Sequence, residues 1–226
     1  MAYDLEEQEQ IDTLKAFWNQ YGNLITWLLI IALAAYAGHN FWQRYQRTQS
    51  AEASALYDEL QKQLGGEGAK EGAKDNAKLQ RIAGDIESKY SSSIYAQMAG
   101  LAAAKSAFDA NDLKTAKAQL QWVIDHGNDE YKSVARLRLS GVLLDEKGYD
   151  EALKVLNGEF LPQFAAAVSD RKGDVLVAQN KLAEARKAYE AALTAMDEKN
   201  PGRQLVQVKL EAIGGTAPAP KAAAAA

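Results

Sequence analysis

The chain has no cysteine, which excludes disulfides, thiolate metal sites and cysteine nucleophiles together and leaves the redox compartment open. Histidine is nearly as scarce. The two present, His39 and His126, are far apart in sequence, so no neighbouring pair is available to a metal site. His39 reads as an interfacial polar residue, and His126, just ahead of Gly127, as a group complementing the dipole of a helix C-terminus. No Gly-Lys-Ser/Thr phosphate loop occurs, and Gly66-x-Gly68-x-x-x-Gly72 misses the dinucleotide fingerprint with no strand before it. Acidic pairs such as Asp85 and Glu87, or Glu184 and Glu190, read as solvated helix faces. These absences together point away from an enzyme, and no cofactor is expected. A basic surplus is missing as well: the formal charge is -4, and residues 1–15 carry five acidic groups against Lys15, so the remainder balances. No stripe for nucleic acid is implied.

The longest absence is of charge itself, because Ala16 to Gln43 contains no Asp, Glu, Lys or Arg. As a helix, Tyr21 to Trp42 would cover about the 30 Å hydrocarbon thickness of a bilayer. Trp18, Tyr21 and Trp27 mark one end, and Tyr36, Phe41, Trp42 and Tyr45 the other, in the manner of interfacial aromatic belts. A core helix of a soluble protein would rarely stay uncharged on every face for so long. A cleavable signal would have a short basic leader, whereas this one is acidic and about twenty residues long, so an uncleaved signal anchor is expected despite the small-x-small Ala35-Tyr36-Ala37. Flanking charge leaves orientation open: Arg44 and Arg47 follow the span and Lys15 precedes it, a slight bias toward a cytoplasmic C-terminal side. Thr26, Ile30, Ala34 and Gly38 recur every four residues, and Ala34-x-x-x-Gly38 would let another helix approach closely, although Ala and Gly are common on lipid-facing surfaces too.

Beyond the span, the sequence predicts an all-α fold. Residues 1–20 form an acidic N-terminus, 21–42 a transmembrane helix, and 43–64 an amphipathic helix with Ala53, Leu56, Tyr57, Leu60 and Leu64 at helical spacing. Residues 65–76 form a flexible Gly-rich loop, 77–213 a domain of short helices rich in Ala, Leu, Lys and Glu, and 214–226 a disordered Ala/Pro tail. Three breaks in the helical domain resemble one another: Asn111 to Ala116, Gly148 to Ala152 and Asn180 to Ala185. Aligned on their final alanines they lie 36 and then 33 residues apart, bracketing the tetratricopeptide period of about 34. A tetratricopeptide-like helical-repeat solenoid is therefore expected, with a generic helical bundle as the plainer alternative. The packing residues would be Ala116, Ala152 and Ala185, small so that the helices of a pair can cross closely, and Leu120, Leu156 and Tyr189 as fillers one turn later. Gly173 and Ala192 complete the last unit, and Asn200-Pro201 closes it. One pair cannot bury both its faces, so pairs stack and leave a groove suited to an extended peptide or a partner helix.

An acidic N-terminus, Lys15-Ala16-Phe17-Trp18, Tyr21-Gly22 at the start of the span, Phe41-Trp42-Gln43-Arg44-Tyr45 at its exit and a tetratricopeptide-like domain follow one another in that order. The arrangement, with Leu113-Lys114-Thr115-Ala116-Lys117-Ala118-Gln119-Leu120-Gln121 and Arg136-Leu137-Arg138-Leu139, resembles the YfgM family of ancillary SecYEG translocon subunits over nearly the whole chain. The resemblance implies a bacterial inner-membrane protein with a cytoplasmic N-terminus and a periplasmic repeat domain. As partners it implies the SecYEG translocon and a PpiD-type chaperone, with a role in passing translocated polypeptides to periplasmic chaperones and no catalytic residues. A membrane-tethered tetratricopeptide scaffold for another envelope assembly is the alternative.

Overall fold

A computed structural model describes residues 2–65 and 76–216, with side chains from Ile11 onward. Most of the expected Gly-rich loop and of the Ala/Pro tail lies outside the described residues. Those described form helices joined by short turns, with no strand among them.

The first helix, α1, runs Ala2–Gly65 without a break. The sequence reading divided this stretch into an acidic N-terminus, a span and an amphipathic helix. They are one element because no proline occurs before Pro162 and the interior glycines Gly22 and Gly38 are isolated, each costing about 1 kcal/mol against alanine but leaving the hydrogen-bond ladder intact. The helix ends at Gly65, whose φ of 139° a side chain would resist. The chain divides into two compact units, residues 1–51 and 52–226.

In the first unit most of the apolar side chains from Ile11 onward are bare. Leu24, Trp27, Leu28, Ile31, Leu33 and Phe41 are all exposed, and none of the apolar window long enough to cross a membrane is buried within the protein. Among the described residues nothing takes these side chains out of water, which argues against the soluble-core reading of this helix.

The second unit comprises the last turns of α1 from Glu52, then α2 (Asn76–Lys89), α3 (Ile94–Asp109), α4 (Leu113–His126), α5 (Asp129–Asp145) and α6 (Tyr149–Leu156). A single 3-10 turn, Pro162–Phe164, leads into α7 (Ala165–Ala178), α8 (Leu182–Ala195) and α9 (Arg203–Ala212). Side-chain caps start the helices where the sequence supplies them. Ser93 accepts from the Tyr95 amide at 3.2 Å, Asp112 from Thr115 at 3.0 Å and Asn128 from Tyr131 at 3.0 Å. α6 stops after eight residues, while α4 and α8 have fourteen, because Asn157-Gly158 and then Pro162 interrupt the helical pattern.

Burial proceeds in three successive clusters, as expected of stacked pairs. Leu60 of α1 joins Leu79, Ile82 and Ile86 of α2 and Ala96, Ala99 and Ala103 of α3. Leu120, Val123, Leu139, Leu143, Leu156 and Val175 form the middle of the stack, and Leu176, Tyr189, Leu193, Val206 and Leu210 its C-terminal part. The end of α1 thus belongs to the helical stack, although a Gly-rich segment separates it from the repeats in sequence.

Candidate functional site

The turns define the repeat more sharply than the helices do. Asn111, Lys147 and Asn180 take left-handed backbone conformations, with φ of 60°, 63° and 61°. Each closes the same motif: the Asn111 amide reaches the Phe108 carbonyl and the Asp112 amide the Ala107 carbonyl, at 2.9 and 2.8 Å. Lys147 and Gly148 repeat the pattern on Leu144 and Leu143, and Asn180 and Lys181 repeat it on Val177 and Leu176. This is the paired 5→2 and 6→1 closure that satisfies the last carbonyls of a helix. A fourth copy follows α9, where Gly214 (φ 76°) and Gly215 bond to Glu211 and Leu210. The four left-handed positions are separated by 36, 33 and 34 residues. Helix α9 is therefore the first helix of a fourth unit that has no second helix among the described residues. The sequence reading missed it; the spacing from Asn180 to Gly214 was the available signal.

Relative to these turns, the residues singled out from the sequence fall in register. Ala116, Ala152 and Ala185 are fully buried five positions after each turn, and Leu120, Leu156 and Tyr189 are buried four positions later. Gly173 lies against the Tyr189 ring so closely that a Cβ would come within 2.5 Å of Cδ1 and 2.8 Å of Cζ. Ala192 is buried in the C-terminal cluster. The sequence reading gave Gly173 no counterparts, but Ala104 and Ser140 stand at the same offset before their own turns and are also buried. Small residues of three kinds fill one role, which hid the equivalence. On α1, Thr26, Ile30, Ala34 and Gly38 form an exposed stripe. Thr26 Oγ1 donates to the Gly22 carbonyl at 2.7 Å, and a Cβ at Gly38 would meet nothing within 4 Å.

The first helices of the three full units, α3, α5 and α7, line a cavity of about 420 Å³. Its walls include Ala104, Leu120, Gly141, Val142 and the ring of Phe108, which is 39% exposed; Lys105, Arg138, Arg171 and Asp145 also line it. A second cavity, of about 580 Å³, is lined by α4, α5 and α6.

Two further polar features of the second unit are half-buried or buried. Lys209 of α9 bridges Asp170 and Asp174 of α7 at 2.9 and 2.8 Å, and the Tyr189 hydroxyl donates to Asp174 at 2.9 Å. Burial alone would lower the Lys209 pKa, but the hydrogen bonds and charges of the two carboxylates outweigh it and hold the ammonium above its ordinary value. Burial, followed by the Asp174 charge, raises the Tyr189 phenol. Glu87 contradicts its reading as a solvated residue. It is 9% exposed, a Cβ on Gly100 would lie 3.3 Å from its Oε1, and that buried oxygen has no hydrogen-bond partner among the described residues. Burial pushes its pKa from 4.5 to about 7. Its position facing α3 was not visible from composition. Among the described residues, no three His, Asp or Glu side chains gather as a metal site would require.

A family model described as a tetratricopeptide repeat-like domain matches residues 15–215. A curated relative from Neisseria gonorrhoeae, named ancillary SecYEG translocon subunit, is 35% identical over 94% of this chain and all of its own length. The chain belongs to that family. Relatives of the same name from Haemophilus influenzae and Escherichia coli are 32% and 28% identical, covering 85% and 83% of this chain and 91% and 87% of their own. No solved structure matches the chain. Membership fixes the fold class as a tetratricopeptide-like helical repeat preceded by a long apolar helix, and the family match extends through α9 to the fourth turn.

Proposed function

We propose that this chain is a non-enzymatic accessory subunit of the Sec translocon in the bacterial inner membrane. In this reading α1 crosses the membrane once, with the N-terminus cytoplasmic and the repeat domain periplasmic. The repeat domain binds partner proteins, a PpiD-type chaperone among them, and helps pass translocated polypeptides to periplasmic chaperones. The observation that carries the proposal is end-to-end similarity to proteins named ancillary SecYEG translocon subunit. The bare apolar helix supports anchoring, because its exposed side chains are stable only in lipid or against another helix. The stripe of Thr26, Ile30, Ala34 and Gly38 gives the anchor a face along which a translocon helix could pack closely.

Photo-crosslinking tests this directly. A benzophenone side chain at Ile30 or Ala34 is expected to yield SecY, SecE or SecG adducts in membranes, and no such adduct from either position would sink the translocon assignment. Orientation needs its own measurement, since the flanking basic residues lean the other way. An alkaline phosphatase fused after residue 226 is expected to be active; an inactive fusion would put the repeats in the cytoplasm.

A further inference from the structure

Three cations converge on the cavity between α3, α5 and α7, and one of them lacks a carboxylate. Lys105 pairs with Asp109 at 2.7 Å, and Arg171 is 4.0 Å from Asp174, an aspartate already held by Lys209 and by Tyr189. Arg138 forms no ion pair among the described residues, and its Nη1 donates to the Leu101 carbonyl at 3.3 Å. Asp145 is the single acidic residue among those lining the cavity, so the lining carries three cations against one carboxylate, and Arg138 is the cation left for a ligand. Its other lining residues, Phe108, Val142 and Leu120 among them, are apolar.

From this charge and shape we infer that the cavity is a binding site for extended polypeptide segments carrying a carboxylate side chain close to an aromatic or aliphatic one. In an extended strand, residues i and i+2 point to the same side, so an apolar residue can enter the cavity while a Glu or Asp two positions away meets Arg138. A guanidinium presents forked donors matched to a carboxylate, and a charge-assisted bond there is stronger than a neutral one. A phosphate ligand would use the cations but not the apolar wall. An anionic membrane surface would be met better by cations on a flat, open patch than by cations around a cavity. The inference rests on the reading of the repeat domain as a polypeptide-binding module and adds where it binds and what it selects.

The test uses the full chain in mild detergent and a fluorescein-labelled, C-terminally amidated Gly/Ser peptide carrying Phe and, two residues on, Glu, beside its Glu→Gln and Phe→Ser counterparts. The Glu peptide is expected to bind about tenfold more tightly than the Gln peptide. Arg138→Gln should abolish that preference and Arg138→Lys restore part of it, while Phe108→Ala should weaken both peptides alike. Equal binding of the Glu and Gln peptides, or a preference that survives Arg138→Gln, would overturn the proposal. So would displacement of both peptides by inorganic phosphate, which would assign the site to a phosphate ligand. If no peptide binds while the Ile30 and Ala34 crosslinks persist, the cavity assignment fails and translocon association stands; loss of the crosslinks alone reverses that outcome.

Discussion

At the scale of single residues the repeat reports on itself, because equivalent positions carry different side chains in the same geometry. The left-handed turn position holds Asn111 and Asn180 in two units but Lys147 in the middle one. A Cβ costs about 1–2 kcal/mol in that conformation, and asparagine recovers part of it through local hydrogen bonding. Lys147→Asn is therefore expected to stabilise the protein by about 0.5 kcal/mol, read as an increase in urea midpoint at unchanged m-value. The converse holds at Gly173, where a methyl has no room against Tyr189. Gly173→Ala should cost about 1–3 kcal/mol by overpacking, whereas the added Tyr189→Leu should recover part of that loss despite breaking the bond to Asp174. Glu87 supplies a pH dependence. Its folded pKa, about 7, lies above the ordinary 4.5, so the folded state holds the proton more tightly. The stability this contributes is complete below the lower value and is lost as pH rises through the upper one. Wild type is expected to lose about 1–3 kcal/mol relative to Glu87→Gln between acidic pH and pH 8. Parallel stability profiles for the two proteins would show that Glu87 is hydrated in solution.

At the scale of elements, legibility followed how local the signal was. The span could be read from Ala16 to Gln43 because lack of charge is a property of one contiguous segment. The three turns could be read because Asn-Asp, Gly and Asn-Lys precede small residues at a fixed offset, and turn chemistry is short-ranged. Helix α9 was not seen as a fourth first helix, since its repeat identity rests on Gly214 and on contacts with α7 and α8. The role of α1 after Glu52 was hidden likewise, because Leu56 and Leu60 pack with residues of α2 and α3, which follow the Gly-rich segment in sequence. The cavity was least legible of all: Lys105, Arg138 and Arg171 stand 33 residues apart, one on each first helix. That interval equals the 33 residues between the second and third turns but not the 36 between the first and second, so Arg138 and Arg171 are equivalent and Lys105 is not; surface charges so spaced are indistinguishable from a solvated helix face until the helices are placed side by side.

At the scale of the whole second unit, stability should be distributed along the stack, because each pair of helices packs mainly on its neighbours. Helix α9 covers the end of that stack. Val206 and Leu210 are buried in the C-terminal cluster with Tyr189 and Leu193, the Arg203 guanidinium caps the Leu193 and Met196 carbonyls, and Lys209 neutralises Asp170 and Asp174. Ending the chain after Asn200 would expose apolar surface and remove Lys209 from Asp170 and Asp174, leaving only Arg171, at 4.0 Å, near Asp174. Amide exchange in α7 and α8 is then expected to accelerate by one to two orders of magnitude, equivalent to about 1.4–2.8 kcal/mol of lost local stability, while α2 and α3 keep their protection. Lys209→Met separates the two causes: it removes the charge but keeps much of the packing, so it should accelerate α7 more than α8. Uniform acceleration from α2 to α8 in the truncated chain would show instead that the stack unfolds as one cooperative body. Binding at the cavity between α3, α5 and α7 would then be coupled to the integrity of the whole stack, from α2 to the C-terminal end.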